Sequence, residues 1–306
     1  MLAIVSAVIF VIFYVFPSAD PAELRAGRNA SPAQVETIRH ALGLDRPVYV
    51  QYWDYMKGIV LHFDFGYSYQ SNADVRTVVL DRLPATIWLV TGAAILWLLM
   101  GIPVGIISAI KRRSLLDRST MVTSLAFISA PVFWLGLVVL YLFAKDVGRF
   151  PIFQGQGSFI EANTIPEKAG SMLLPWFVLA AASAAIYARY LRSSMIDVMS
   201  EDYIRTARAK GLRERRVIMR HGVRSAITPV VTLLGLDIGV LLAGNAILTE
   251  SVFNIPGVGR LVFTSIERSD LPVIQGVTLF GAFFIVTFNL IVDIAYAYLD
   301  PRVRYR

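Results

Sequence analysis

Six blocks of the sequence are almost free of charge and run to the length of a bilayer crossing or close to it: Met1 to Phe16, Pro84 to Ile110, Ser119 to Phe143, Met172 to Ala188, Ile227 to Thr249 and Pro272 to Leu299. A helix rises about 1.5 Å per residue, so about 20 apolar residues cover a hydrocarbon core of about 30 Å. In lipid every backbone polar group must be satisfied within the structure, and continuous apolar runs of this length do so as helices. The expected fold is therefore an all-α polytopic membrane protein with six transmembrane helices. Composition agrees, because the 306 residues are 56% hydrophobic and 17% charged, whereas a soluble domain carries about 25% charged residues. An ordinary soluble enzyme is disfavoured, and so is a disordered chain, since 18 Phe, 13 Tyr and 5 Trp would not stay solvated. The absence of cysteine removes disulfides, thiolate catalysis and thiolate metal sites.

The first block is the shortest, about 24 Å as a helix, and lacks a basic flank. A cleaved signal peptide is its competing reading, with small residues at Pro17, Ser18 and Ala19. The missing basic segment argues against that and suggests a late start or a trimmed N-terminus.

Lys and Arg assign the orientation. Lys111 to Arg118, Arg189 to Ala226 and Asp300 to Arg306 together carry a net charge of +11, and the segments on the opposite face carry −2. The positive-inside rule then places both termini in the cytoplasm, and the basic balance reads as topology rather than as a nucleic-acid footprint. Three regions follow: a first span at 1–16, an extracytoplasmic helical insertion at 17–83, and a core of five spans at 84–306 that holds a polar loop at 200–226.

Within the insertion, Ser31, Pro32 and Gln34 spell an N-cap, a first-turn proline and a capping-box partner, with Gly43 as the stop. A second helix is expected from Pro47 to about Val60, with Tyr49, Trp53, Met56 and Val60 at helical spacing. The insertion reads either as a lid packed on its own bundle or as a surface that also docks a soluble partner.

The loop at 200–226 is too polar to insert. Asp197, Glu201 and Asp202 precede Arg205, Arg208 and Lys210, the charge order that the helix dipole favours. Ile204, Ala207 and Leu212 form one apolar edge, Gly211 ends the helix, and a second basic helix runs from Arg213 to about Arg224. Two readings stay open on these residues: a helix lying on anionic lipid, or a helix-turn-helix fitting the groove of a cytoplasmic partner.

Four motifs now bear on identity. They are Leu42-Gly43-Leu44-Asp45-Arg46-Pro47 with Asp64-Phe65-Gly66-Tyr67-Ser68; Arg82-Leu83-Pro84-Ala85-Thr86; Asp202-Tyr203-Ile204-Arg205-Thr206-Ala207-Arg208-Ala209-Lys210-Gly211-Leu212; and Phe253 to Gly276 with Pro256-Gly257-Val258-Gly259, followed by Asp300-Pro301-Arg302. In this order they resemble the B-type permease subunits of dipeptide, oligopeptide and nickel ATP-binding-cassette importers, over nearly the whole chain. The resemblance implies that Tyr203 to Leu212 is similar to the EAA coupling loop, the element that inserts into a nucleotide-binding subunit. Arg205-Thr206-Ala207 stands where Glu-Ala-Ala is typical, and Pro229 lies 18 residues after Gly211, two departures usual in the peptide branch. It implies further a prokaryotic inner membrane, a second permease, two nucleotide-binding ATPases and an extracytoplasmic substrate-binding protein. No Gly-Lys dipeptide occurs, so a phosphate-binding loop is absent and the chain is expected to be non-catalytic, with ATP and magnesium held by partner ATPases.

Inside the spans, Gly101-x3-Gly105, Gly235-x3-Gly239 and the alanines at 180–182, 184 and 185 are expected to be packing surfaces. Asp237 and Asp293 are carboxylates at membrane depth, a costly placement that marks a cavity, a pair or a functional site. Asp293 is expected to anchor through Arg302 or Arg304. Asp237, with Asn245 in the same span, is the candidate for lining a translocation path and meeting a peptide's ammonium group; a bond to the second permease is the alternative. His40, His62 and His221 have no ligand spacing among them, so no metal is expected. A self-sufficient channel or secondary transporter is the competing class. It would show internal repeats and charges along several spans, and neither is evident. A membrane-anchored scaffold using the basic loop is a third.

Overall fold

The computed structural model describes residues 2–16, 20–27 and 30–299. Among these, regular structure is helical, with only isolated bridges at Tyr67–Asp74 and Ala144–Phe153. The chain is an all-α polytopic membrane protein. Its helices are α1 (Leu2–Phe10, continued as a π turn at Val11–Val15), α2 (Pro21–Ala26), α3 (Pro32–Ala41), α4 (Val48–Lys57, with a π turn at Gly58–His62) and α5 (Val75–Ile110). There follow α6 (Leu115–Ser129), α7 (Val132–Phe143), α8 (Ser158–Glu161), α9 (Ile165–Met199) and α10 (Asp202–Ala209). Next come α11 (Glu214–Arg216), joined through a π segment at Val217–Val223 to α12 (Arg224–Ala226), and α13 (Thr228–Val240) with a π turn at Leu241–Asn245. The last are α14 (Ile247–Val252), α15 (Val258–Glu267) and α16 (Leu271–Leu299).

Among the described residues, four stretches are long and apolar enough to cross a bilayer: α5, α9, α13 with its π turn, and α16 as far as Ile294; α6 with α7 makes a fifth if the bent pair is one span. The first apolar helix, Leu2–Val15, is shorter. Three boundaries differ from expectation. The run from Ser119 to Phe143 is not one straight span but two helices bent by 102°. The cause is Pro131, the N-cap of α7, whose ring drives the preceding Ala130 to an extended ψ of 124°. The run from Ile227 to Thr249 is interrupted at Gly244, which sits at φ 99°. And α5 starts at Val75, inside the segment expected to be the insertion.

The chain packs as two units. The first comprises Met1–Thr86, Leu242–Ile247 and Pro256–Val286. Its core is a valine cluster, Val75, Val79, Val258, Val273 and Val277, flanked by Phe65 and Phe280. Two sequence motifs meet here: Thr86 Oγ1 accepts from the Val258 backbone N–H at 2.8 Å and so fixes the start of α15. The buried Asp270 carboxylate ties the loop after α4 to the start of α16, accepting from Ser68 Oγ at 2.5 Å and from Tyr69 N–H at 3.1 Å. Gly259 is required where α15 crosses the 241–247 segment, since a Cβ there would lie 2.5 Å from the Gly244 carbonyl oxygen. The capping box of α3 forms as expected between Ser31 and Gln34. The second expected helix is present as α4 with its π turn. Tyr52 and Tyr55 meet Phe10 of α1, whereas Tyr49, Trp53 and Val60 are exposed.

The second unit comprises Ile87–Leu241, Leu248–Ile255 and Thr287–Arg306. Its axis is α9, against which α6, α7, α8, α12 and α13 pack. A Cβ on Gly101 or Gly105 would lie 2.9 or 2.8 Å from the carbonyl oxygens of Ala184 and Ala188, so α5 and α9 cross backbone to backbone. This is the role expected of that glycine pair. The alanines at 180, 181, 184 and 185 are buried.

Candidate functional site

The polar loop after α9 folds as a compact hairpin of helices in the second unit. Helix α10 starts after Glu201, which is extended at φ −68° and ψ 150° and makes no side-chain cap. Asp202 in the first turn and Arg208 in the last complement the dipole. Gly211 takes φ +72°, and its N–H bonds to the Arg208 carbonyl at 2.9 Å, which closes the helix as the sequence predicts.

Of the ten residues singled out here, Ile204 and Ala207 are buried against Val217, with Met199 and Leu212 packed alongside. Burying Ile204 alone contributes about 2 kcal/mol. Tyr203, Arg205, Thr206, Arg208, Ala209, Lys210 and Gly211 are exposed. The apolar edge of α10 is thus spent on its own hairpin, and the outward face is polar. Arg208 reaches across the Gly211 turn to Glu214, with Nη2 to Oε1 at 2.8 Å and Nε to Oε2 at 3.2 Å. The guanidinium holds the Glu214 carboxyl below its ordinary range, and Arg208 is raised in return. Arg205 pairs within the helix with Asp202 at 3.3 Å. Gly222 seats the returning π segment on α9, where a Cβ would meet Met199 Sδ at 2.9 Å.

Arg192, on α9 ten residues before Asp202, takes part in a cluster that sequence reading did not find. Its guanidinium donates to both oxygens of Asp117 at 2.7 and 2.8 Å. The same carboxylate accepts from Ser108 Oγ at the end of α5 and from the Arg113 N–H at 2.9 Å. In the sequence Asp117 is the one acid of the basic segment Lys111 to Arg118, yet it is 3% exposed. Pairing over this sequence distance leaves no local signal.

Asp237 on α13 is half buried and accepts from Tyr187 Oη of α9 at 2.8 Å. Tyr187 is itself buried against Trp97, ring centroids 5.8 Å apart. A partner within the same chain therefore meets one of its oxygens. Asn245, exposed at the end of the π turn, belongs to the other unit. Asp293 is exposed, and its expected partners Arg302 and Arg304 lie outside the described residues. Glu250, the first residue after the apolar block that ends at Thr249, is fully buried in α14. Among the described residues, no three His, Cys, Asp or Glu side chains gather as a metal site.

Residues 101–305 match the model of the binding-protein-dependent transport system inner membrane component, and residues 1–90 match that of the N-terminal part of such membrane components. The chain belongs to this family. It is also 40% identical over 305 residues to the glutathione transport system permease protein GsiC of Escherichia coli strain K12, covering all of this chain and 95% of the relative. Identity and coverage are the same for the GsiC proteins of Shigella dysenteriae and Salmonella choleraesuis. This permease subunit is thus a multi-pass inner-membrane component of an ATP-binding-cassette importer. It is non-catalytic and works within a complex. The family match covers both the hairpin around α10 and the Asp117–Arg192 cluster.

Proposed function

We propose that this permease subunit imports short peptides, of the di- and oligopeptide class to which glutathione belongs, as half of a translocation path. Its partners in this reading are a second permease, two cytoplasmic ATPases and an extracytoplasmic substrate-binding protein. The subunit binds no cofactor of its own; ATP and magnesium sit on the ATPases. Both termini and the α10 hairpin face the cytoplasm, in line with the excess of Lys and Arg in the segments on that side.

The observation that carries the coupling role is the burial pattern of α10. A helix lying on lipid needs a free apolar face, and Ile204 and Ala207 have already used theirs on Val217. What faces outward is Tyr203, Arg205, Thr206 and Lys210, a polar and basic surface fit for a protein groove. ATP-driven closure of the ATPases then moves the hairpin as one body, and the spans rock between inward and outward openings. Asp237 lines the path in this reading, bonded to Tyr187 and available to a peptide's ammonium group.

The test is purification of the tagged chain from its own host in mild detergent, with its companions identified by mass spectrometry. Recovery of a second permease and two ATPases, with ATP turnover stimulated by binding protein and peptide, is the expected result. Recovery of the chain alone, after controls for dissociation, moves the reading to a self-sufficient transporter.

A further inference from the structure

A cavity of about 360 Å³ opens in the first unit between the end of α3, the π turn after α4, the loop at 64–69 and the start of α16. That volume lies within the range of small-molecule sites. Two ionised side chains at its wall are left without a counter-charge among the described residues. Arg25 makes no ion pair and rests 6.0 Å from the centroid of the Tyr67 ring. Asp64 accepts the Gly66 N–H on Oδ1 at 2.8 Å and makes no ion pair either. The other charges of the wall are already matched, Arg46 to Asp54 at 3.2 Å and His40 to Asp45 at 2.8 Å. Tyr55 also lines the cavity, and its hydroxyl is buried with no hydrogen-bond partner among the described residues. Buried polar atoms without a partner are rare without a reason. Burial pushes the Tyr55 phenol up and Tyr69 up to about 12, so both are protonated donors at physiological pH.

A cavity that offers one free cation, one free anion and a buried phenol suits a ligand with a carboxylate, an ammonium group and an amide. We propose that it binds a short zwitterionic peptide on the permease subunit itself, with the ligand's carboxylate on Arg25, its ammonium on Asp64 and its amide on the Tyr55 hydroxyl. This rests on the reading of the subunit as a peptide importer and adds a second point of selection beyond the binding protein.

The experiment uses the assembled transporter in nanodiscs without binding protein, with trialanine as probe and saturation-transfer NMR as readout, alongside its N-acetylated and C-amidated forms. Trialanine is expected to bind, and either blocked form to bind about tenfold more weakly, the size of one lost charge-assisted hydrogen bond. Arg25→Gln is expected to abolish the discrimination against the amide only, Asp64→Asn that against the acetyl form only, and Tyr55→Phe to weaken all three. Because Arg25 and Asp64 are exposed, neither change removes core packing, and general misfolding would not yield this crossed pattern. No transfer to trialanine, or unchanged preferences in both charge variants, overturns the site. Peptide uptake with binding protein is measured in parallel: uptake without cavity binding refutes the cavity and leaves the importer reading standing, whereas no uptake of any peptide refutes peptide import.

Discussion

Arg192 of α9 grips Asp117 of α6 through two hydrogen bonds of 2.7 and 2.8 Å, and the acceptor is all but sealed from solvent. The same carboxylate binds the end of α5 and the turn before α6, so one ion pair joins three helices just ahead of the α10 hairpin. Removing the cation alone would strand a buried charge. Arg192→Leu is expected to destabilise the purified complex by about 3 kcal/mol or more, while Arg192→Leu with Asp117→Asn loses markedly less. Thermal unfolding in detergent measures both.

Gly211→Ala should be a mild lesion and Gly211→Pro a severe one. The glycine sits at φ +72° with nothing within 4 Å of a built Cβ, so alanine adds backbone strain of about 1 kcal/mol without a clash. Proline cannot adopt that φ and removes the N–H that bonds to Arg208. Stimulated ATP turnover and uptake are expected to persist in the first and vanish in the second while both reach the membrane.

The Arg208–Glu214 clasp has a sign that pH reveals. Glu214 is lowered from an ordinary value of 4.5 by its guanidinium partner. The clasp therefore contributes fully above that value and is lost as pH falls through the lowered folded one. The pair is solvent-exposed, so its worth is below about 1 kcal/mol. Limited proteolysis of the hairpin is expected to be flat from pH 8 to about 5 and to quicken only in more acid solution, and Glu214→Gln removes that dependence.

Tyr187→Phe and Asp237→Asn separate packing from transport. The first leaves a half-buried carboxylate without its donor and is expected to lower stability by about 1–2 kcal/mol. In the second, the amide oxygen still accepts from Tyr187, so stability holds while peptide uptake falls. Unchanged uptake by a normally abundant Asp237→Asn protein removes that residue from the path.

Where a structural choice is made by neighbours in sequence, the sequence disclosed it. The Ser31–Gln34 capping box, the Gly211 stop and the inward edge of Ile204, Ala207 and Leu212 all depend on residues a few positions apart. The crossing of Gly101 and Gly105 over α9 was legible because small residues at that spacing have few other uses. Choices made by distant partners were hidden. Helix α4 illustrates this: Tyr52 and Tyr55 are packed because Phe10 of α1 meets them, a contact that helical spacing within α4 does not disclose. Asp117, Asp270 and Glu250 looked like loop acids because their burial depends on segments far away in the chain. Pro131 was visible but its weight was not, since a proline within an apolar run is read either as a kink or as a break.

Helix α9 gives the cluster and the hairpin a common mechanical meaning. It carries Pro175 inside an otherwise unbroken run that ends at Met199, directly before α10. The arm from Pro175 to Met199 is about 36 Å long at helical rise, so a tilt of about 10° at the proline carries its tip on the order of 6 Å. Read as a lever with its fulcrum at Pro175, α9 would convert a few ångströms of travel at the hairpin into a small rotation at the depth of Tyr187 and Asp237, and a stiffer or looser fulcrum would alter the gearing of transport without touching either end.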